Sequence, residues 1–457
     1  MNTAPQPLPS APRGEPFDIG LGVVSILLIG SILPAMIGGQ PVGQPSQSDV
    51  ASIQESGDAA RQAVMLALYG MHLALLAWTV RPRAFLLIGF PLIGFMAWCA
   101  LSAFWSPLPE PTLRRVFAMV GTLAAGLCLG LRLGPKGLVD AMRISAGIAL
   151  VGSILHAAVN PLLGFDHNGY LRGLFSHKNL FGSFMAMSIL AVIHHMASGD
   201  GGRWNRLADK ALLVGCAVGL GAAHSATPLL ALLAGIGLFC SAALAASGRG
   251  LISVAAPAVL GCGAAIILAF GGEIMPLVAA ALGRDPSFSG RGTVWAFVLG
   301  AVAQRPWAGF GYGIFWLGEA APGAVFWYWS RQYELHAHNG YLQLLLDAGI
   351  IGSALFLASL AVLLNRLLAL VHARHGTDGL VGWAAMVLGF FLACNLSESR
   401  ILQGNDLLTL LFVWSIVRVN LECWRVRVAG LVARQIAWQN QAASWPRPAP
   451  TLMPQER

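Results

Sequence analysis

The sequence predicts an all-α membrane protein, a polytopic bundle of about twelve transmembrane helices with one large extramembrane loop that carries short helices. Two observations predict it. Of 457 residues, 56% are hydrophobic and only 11% are charged, against about a quarter charged in soluble domains. Apolar runs of about 20 residues, the length needed to cross the hydrocarbon core, recur along most of the chain. A chain this apolar cannot hide its hydrophobic surface from water, so a bilayer must be the solvent for much of it.

The elements follow in order. Residues 1–16 are polar and rich in proline and are expected to form a disordered cytoplasmic N-terminus. The first apolar run carries no small-residue cleavage site and is expected to stay as a first span. Candidate spans cover 19–38, 62–80, 84–105, 115–131, 140–159, 179–197, 210–225, 227–247, 251–271, 341–364, 379–396 and 406–423. The seventh and eighth are parted only by the Ala226–Pro228 break. The membrane domain is expected over 17–434, with its long loop at about 272–340 and a disordered cytoplasmic tail at 435–457. Within that loop Val294, Trp295, Phe297, Val298 and Ala301 recur at helical spacing and predict a helix at the membrane surface over 291–304. Arg305-Pro306 ends it, and the run Ala308 to Gly313 reads as a flexible glycine-rich turn.

Charge sets the expected orientation. With both termini cytoplasmic, Arg81, Arg83, Arg132, Lys136, Arg203, Arg206, Lys210 and the basic C-terminal segment fall on the cytoplasmic side, as the positive-inside rule asks. The net charge of +8 is scattered between apolar runs, without the dense patch that nucleic-acid binding would need. Several basic residues oppose the rule. Arg172 and Lys178 share one non-cytoplasmic loop, and Arg284, Arg291, Arg305 and Arg331 share another. A cation that opposes the topology signal needs another reason to be there, and anion binding supplies one. The seven cysteines lie in or beside apolar runs without CxxC spacing. They read as small buried hydrophobes, with neither a zinc site nor a disulfide framework.

Three polar clusters at the expected outer surface carry candidate chemistry. The first is Arg172-Gly-Leu-Phe-Ser-His177-Lys178-Asn179, where Lys178 and Asn179 open the sixth span. A helix N-terminus offers free N–H groups and partial positive charge. The structural alternative is an interfacial lysine anchor. The second is Ser289-Gly-Arg291-Gly-Thr-Val-Trp295, whose guanidinium suits phosphate oxygens. The third is Glu334-Leu-His336-Ala-His338-Asn339-Gly340, at the entry to the tenth span. An imidazole there can take a proton from an alcohol near neutral pH. His336 and His338 as zinc ligands is the competing idea, without a HExxH helix or cysteine pair to support it. His224-Ser225-Ala226-Thr227 interrupts two apolar runs, and Arg143 and Asp347 are the clearest ionisable residues inside spans.

These runs resemble a known family. Residues 172–182 (RGLFSHKNLFG), 289–316 (SGRGTVWAFVLGAVAQRPWAGFGYGIFW) and 336–352 (HAHNGYLQLLLDAGIIG) look like three ordered motifs of exopolysaccharide polymerases and their O-antigen ligase relatives, the Wzy-type, ExoQ-like membrane proteins. The matching region covers roughly 165–365. The resemblance implies a GT-C-like, metal-independent, inverting glycosyltransferase without a cofactor. It would act in the bacterial inner membrane on undecaprenyl-diphosphate-linked glycans at the periplasmic face, alongside a flippase and a chain-length regulator. By residue match, His338 would be the general base. Arg291 and Arg172 would hold the diphosphate, and His177, Lys178, Asn179, Arg305, His336 and Asn339 would support them. Many relatives carry a Ser-Arg pair where this chain reads His224-Ser225-Ala226-Thr227, so the resemblance supplies no arginine there. The segment around Lys178 and the R-P-W-A-G-F-G-Y-G run lean toward polymerase over ligase. A transporter is the alternative from another class, but no internal repeat is visible. A non-catalytic assembly partner is a third reading, against which the three intact clusters argue.

Overall fold

The computed structural model describes residues 16–30, 59–79, 82–199, 202–246, 291–331, 334–374 and 379–443. The expected ninth span (251–271), the start of the long loop, Arg284, Cys262 and Ser289 lie outside the described residues. Within them every regular element is helical, apart from one isolated bridge between Phe165 and Leu171.

The helices are α1 (Pro16–Ile29), α2 (Ala59–Thr79), α3 (Phe90–Leu101), α4 (Pro109–Arg132), α5 (Pro135–Val159), α6 (Pro161–Gly164), α7 (Lys178–Ala197), α8 (Arg203–Ala223) and α9 (Ala226–Ala246). After them come α10 (Arg291–Gln304), α11 (Ala324–Ser330), α12 (Gly340–Arg374), α13 (Gly379–Cys394) and α14 (Leu407–Ala443). Seven of these (α2, α4, α5, α7, α9, α12 and α14) are long and apolar enough to cross a membrane, and α1, α3 and α13 are shorter apolar helices. The protein is an all-α, multi-pass membrane bundle. On α5 the side chains Ile144, Ile148, Val151 and Leu155 are exposed at a 4-3-4 spacing, which makes one helical stripe of bare hydrocarbon. That stripe is unfavourable in water and ordinary in lipid.

Three expectations about elements are corrected. The span expected at 84–105 is not one helix: 3-10 turns at Pro82–Ile88 and Ser102–Phe104 flank α3. Gly89, at φ 91°, and Pro91 in the first turn of α3 break the run. The tail expected to be disordered from 435 stays helical to Ala443, because α14 simply continues. Of the cysteines, Cys99, Cys128, Cys216 and Cys394 are buried, but Cys240 is exposed on α9.

Glycines set the tightest packing. Gly126 and Gly130 of α4 form a small-xxx-small pair, where an added Cβ would come within 2.8 and 2.9 Å of Val413 and Val417 of α14. Gly389 of α13 lets the backbone of α9 approach, since a Cβ there would sit 2.6 Å from the Ala234 carbonyl oxygen.

The chain direction defines two ends of the bundle. Loop 160–177, the His224-Ser225 break, the start of α12 and loop 395–406 share one end, where α7 begins. The α4–α5 turn, the α7–α8 turn and the start of α13 share the other, where α7 finishes. Segment 291–337 makes a second small core at the first end from Val294, Val298, Phe310, Ile314, Phe315, Trp316, Phe326 and Trp327. Its helix α10 has the predicted bounds, with Val294, Val298 and Ala301 facing inward.

The glycine-rich turn is packed, not free. Gly309, Gly311 and Gly313 all have positive φ, and Cβ atoms on them would come within 2.6 to 2.9 Å of Leu346, Ser106 and Arg115. The turn fits a break in α12 at Gly349 (φ 63°, ψ −167°). There Ile350 and Ile351 donate their N–H groups to the carbonyls of Pro306 and Trp307, at 2.8 and 3.2 Å. In return Phe310 and Gly311 donate to Leu346 and Asp347. Backbone broken at membrane depth needs such replacement partners.

Candidate functional site

The third sequence cluster is held from below by α12. Asn339 caps that helix, its Oδ1 accepting from the N–H groups of Tyr341 (3.0 Å) and Leu342 (3.1 Å). Gln343, one turn on, accepts the Ala337 N–H (3.0 Å) and the Trp316 indole N–H (3.1 Å), and donates to Asp347 (2.9 Å). Trp295 of α10 donates to the Ala337 carbonyl at 3.0 Å. The segment 336–339 is therefore clamped between α10 and α12.

The two histidines lie with ring centroids 4.1 Å apart. His336 Nδ1 accepts the His338 backbone N–H at 3.1 Å, so that nitrogen carries a lone pair. Desolvation above all, with smaller contributions from His338, His177 and Arg291, pushes the His336 pKa down to about 3. His336 is thus a neutral ring at physiological pH. His338 sits in the left-handed region at φ 50°, and its Nε2 lies 2.9 Å from Glu334 Oε2. A carboxylate only accepts, so Nε2 carries the proton and the lone pair of the neutral ring is on Nδ1. That Nδ1 is buried with no hydrogen-bond partner.

The first cluster reaches the same place through Asn179. His177 caps α7, its Nδ1 accepting the Asn179 N–H at 3.1 Å. Asn179 donates from Nδ2 to Glu398 Oε1 at 2.7 Å and accepts from Ser225 Oγ at 2.9 Å. Glu398 in turn faces the histidines: donor atoms of His336, His338 and Glu398 all lie within 4.8 Å of one another. Those three residues are the described ones that could hold a metal ion.

The loop after α13 ties the clusters together, and sequence reasoning gave it no role. Ser397 Oγ bonds Thr227 Oγ1 at 2.8 Å, Glu398 binds Asn179, and Ser399 Oγ accepts the Asn339 N–H at 3.2 Å. Arg400 donates from Nε to Asp406 Oδ2 at 2.7 Å, while Asp406 Oδ1 caps α14. Burial works against the Arg400 charge, but Asp406 outweighs it and raises the pKa. The legible signal was the polar run from Asn395 to Arg400 between two apolar spans. Glu334 lay inside the third cluster, but its place beside the imidazole depends on the turn at His338.

Other expected site residues are placed less centrally. Arg172 spends Nε on the Leu163 carbonyl (2.8 Å) and Nη1 on that of Ser176 (3.4 Å), bracing its own loop. Lys178 lies 3.4 Å from Asp166 and 4.0 Å from the centre of the Tyr170 ring, whose other partner is the His224 ring, stacked at 4.5 Å. Arg305 binds the Trp105 carbonyl at 3.3 Å and lies over Phe310. Arg291, half-buried at the start of α10, is close enough for its charge to act on His336. The structure thus brings together Arg291, His336, His338, Asn339, His177 and Asn179, with Glu334 and Glu398. It leaves Arg172, Lys178 and Arg305 in contacts of their own.

Comparison with known proteins bears on this end of the bundle. Residues 211–357, which include Arg291, His336, His338 and Asn339, match the family model described as O-Antigen ligase. The chain is also 27% identical over 306 residues to the exopolysaccharide production protein ExoQ of Rhizobium meliloti (strain 1021), an alignment covering 64% of this chain and 68% of that protein. Motif order, helical membrane architecture and both matches agree in likening the chain to the O-antigen ligases and ExoQ-like membrane proteins.

Proposed function

We propose that this protein joins lipid-diphosphate-linked oligosaccharide repeat units into a longer glycan at the periplasmic face of the inner membrane. The observation that carries the reading is the Glu334–His338 pair at the end of the bundle where α7 and α12 begin, with Arg291 one turn before Trp295, whose indole bonds the neighbouring Ala337 carbonyl. A carboxylate on Nε2 leaves His338 Nδ1 as the base. It takes the proton of the acceptor hydroxyl while that oxygen attacks the anomeric carbon. The bond from that carbon to the diphosphate oxygen breaks with inversion, and the electron pair leaves on the diphosphate. Arg291 offsets the charge that develops there, which is where electrostatic catalysis contributes most. The sugar–phosphate bond is already activated, so charge stabilisation and a base supply the chemistry.

The side assignment rests on the positive-inside pattern, which puts this end away from the cytoplasm. Metal independence is part of the same proposal. His338 Nε2 is taken by Glu334 and Glu398 Oε1 by Asn179, and a chelator is expected to leave activity unchanged. Ligation of the glycan to lipid A-core is the second reading, favoured by the description of the matching family model. Replacing His338 or Arg291 with alanine tests the mechanism. Both variants should reach the membrane at normal abundance and make no polymer, and normal polymer from either removes that residue's role. Polymer length on the lipid carrier, against glycan on lipid A-core, separates the two readings.

A further inference from the structure

The end of the bundle opposite the histidines holds a second site. His177 caps the start of α7 and His194 lies near its finish, about 25 Å away at 1.5 Å per residue. There a cavity of about 380 Å³ opens between α5, α7, α13 and α14. Arg418 of α14 lines it and is only 6% exposed. Its Nη1 reaches the Gly130 carbonyl at a long 3.5 Å, and its Nε is buried with no partner at all. A buried, unpaired guanidinium N–H is costly and calls for an acceptor. Lys136, in the first turn of α5, lines the same cavity. The starts of α5 and α13 converge on it, since a Cβ on Gly379 would lie 3.9 Å from Pro135 Cβ. Each start presents N–H groups and partial positive charge.

The histidines are walls, not ligands. His194 Nε2 is bound to the Gly379 carbonyl at 2.8 Å and His195 Nδ1 to Asp209 at 2.8 Å. Glu422 is the acidic group on the lining, and Arg425 lies 3.5 Å from it. We propose that this cavity binds the phosphate group of an anionic membrane lipid, with Arg418 and Lys136 as its cationic partners. Lipid is the source because the pocket lies between apolar helices at their ends, where headgroups sit, and basic pockets of this kind hold anionic headgroups. The inference does not depend on the reaction at the other end.

The test uses the full chain purified in a neutral detergent and native mass spectrometry with added phosphatidic acid, phosphatidylcholine or inorganic phosphate. Wild type should retain one phosphatidic acid at least about tenfold more tightly than phosphatidylcholine. Arg418→Gln and Lys136→Gln should each remove most of that preference, and Glu422→Gln should strengthen it. Equal retention of both lipids by wild type, or an undiminished preference in Lys136→Gln, overturns the site, and the exposed Lys136 decides the matter even where Arg418→Gln fails to fold. Inorganic phosphate binding as tightly as the lipid overturns the assignment to a lipid.

Discussion

Replacing Gly349 with alanine should destabilise the protein far more than one methyl group suggests. Gly349 holds φ 63° and ψ −167°, a region reserved for glycine, and forcing another residue there costs about 1–3 kcal/mol. The new Cβ would also lie 2.4 Å from the carbonyl carbon and oxygen of Trp307 and 2.6 Å from the Ala308 nitrogen. Those are backbone atoms of the docked turn, so relief means moving the turn. Overpacking of this kind costs about 1–3 kcal/mol. Displacing the turn also weakens the bonds from Ile350 to Pro306 and from Ile351 to Trp307, at about 1 kcal/mol each. The total is roughly 4–8 kcal/mol. Thermal unfolding of the detergent-purified variant measures it, with Gly147→Ala as the control, a helical position where a Cβ meets nothing within 4 Å. The control should match wild type, and Gly349→Ala should melt many degrees lower or fail to accumulate. A Gly349→Ala melt equal to that of the control would refute the idea that turn and helix break are one unit.

Three further outcomes are expected. Arg143→Ala should cost about 3 kcal/mol, because the Asp209 carboxylate, 1% exposed, loses the guanidinium that grips it; Asp209→Asn in the same chain should recover part of the loss in a thermal melt. Gly126→Leu should loosen α4 from α14 by about 1–3 kcal/mol, read as a lower melting temperature, since Val413 leaves no room for a side chain. Acid should weaken the site through His336: its folded pKa of about 3 lies below the ordinary 6.5, so the unfolded chain binds the extra proton. The stability from the neutral ring is whole above pH 6.5 and falls as pH drops toward 3, and melts at pH 7.5 and 5 should differ more for wild type than for His336→Gln.

Much of this architecture was readable from the sequence for physical reasons. Apolar runs report spans because hydrocarbon demands them, and His177 and Asn339 sit where helices start because their side chains satisfy free N–H groups. The two-helix reading of α8 and α9 was also legible, since His224 adopts a left-handed cap (φ 47°) where the polar interruption stands. The partners of those residues were not legible. Asn179 and Glu398 are 219 positions apart, and only the packing of α7 and α9 against α13 brings them together. Arg172 and Lys178 opposed the topology signal as anion ligands would, yet nearby carbonyls and Asp166 hold them in their own loop. The break at Gly349 was hidden inside an apolar run. It makes α12 discontinuous, a feature the transporter alternative would use, but the chain's own glycine-rich turn fills the gap.

The central claim is that one imidazole and one guanidinium, far apart in sequence, act together on a lipid-linked diphosphate. The direct measurement is turnover by protein reconstituted in liposomes with a lipid-diphosphate-linked oligosaccharide, scored by freed lipid diphosphate and by longer glycans. Wild type should produce both together. His338→Ala should lower the turnover rate by about 100-fold or more, and Glu334→Gln by less, with the substrate still bound. Full turnover in His338→Ala, in protein shown to be folded, would contradict the account.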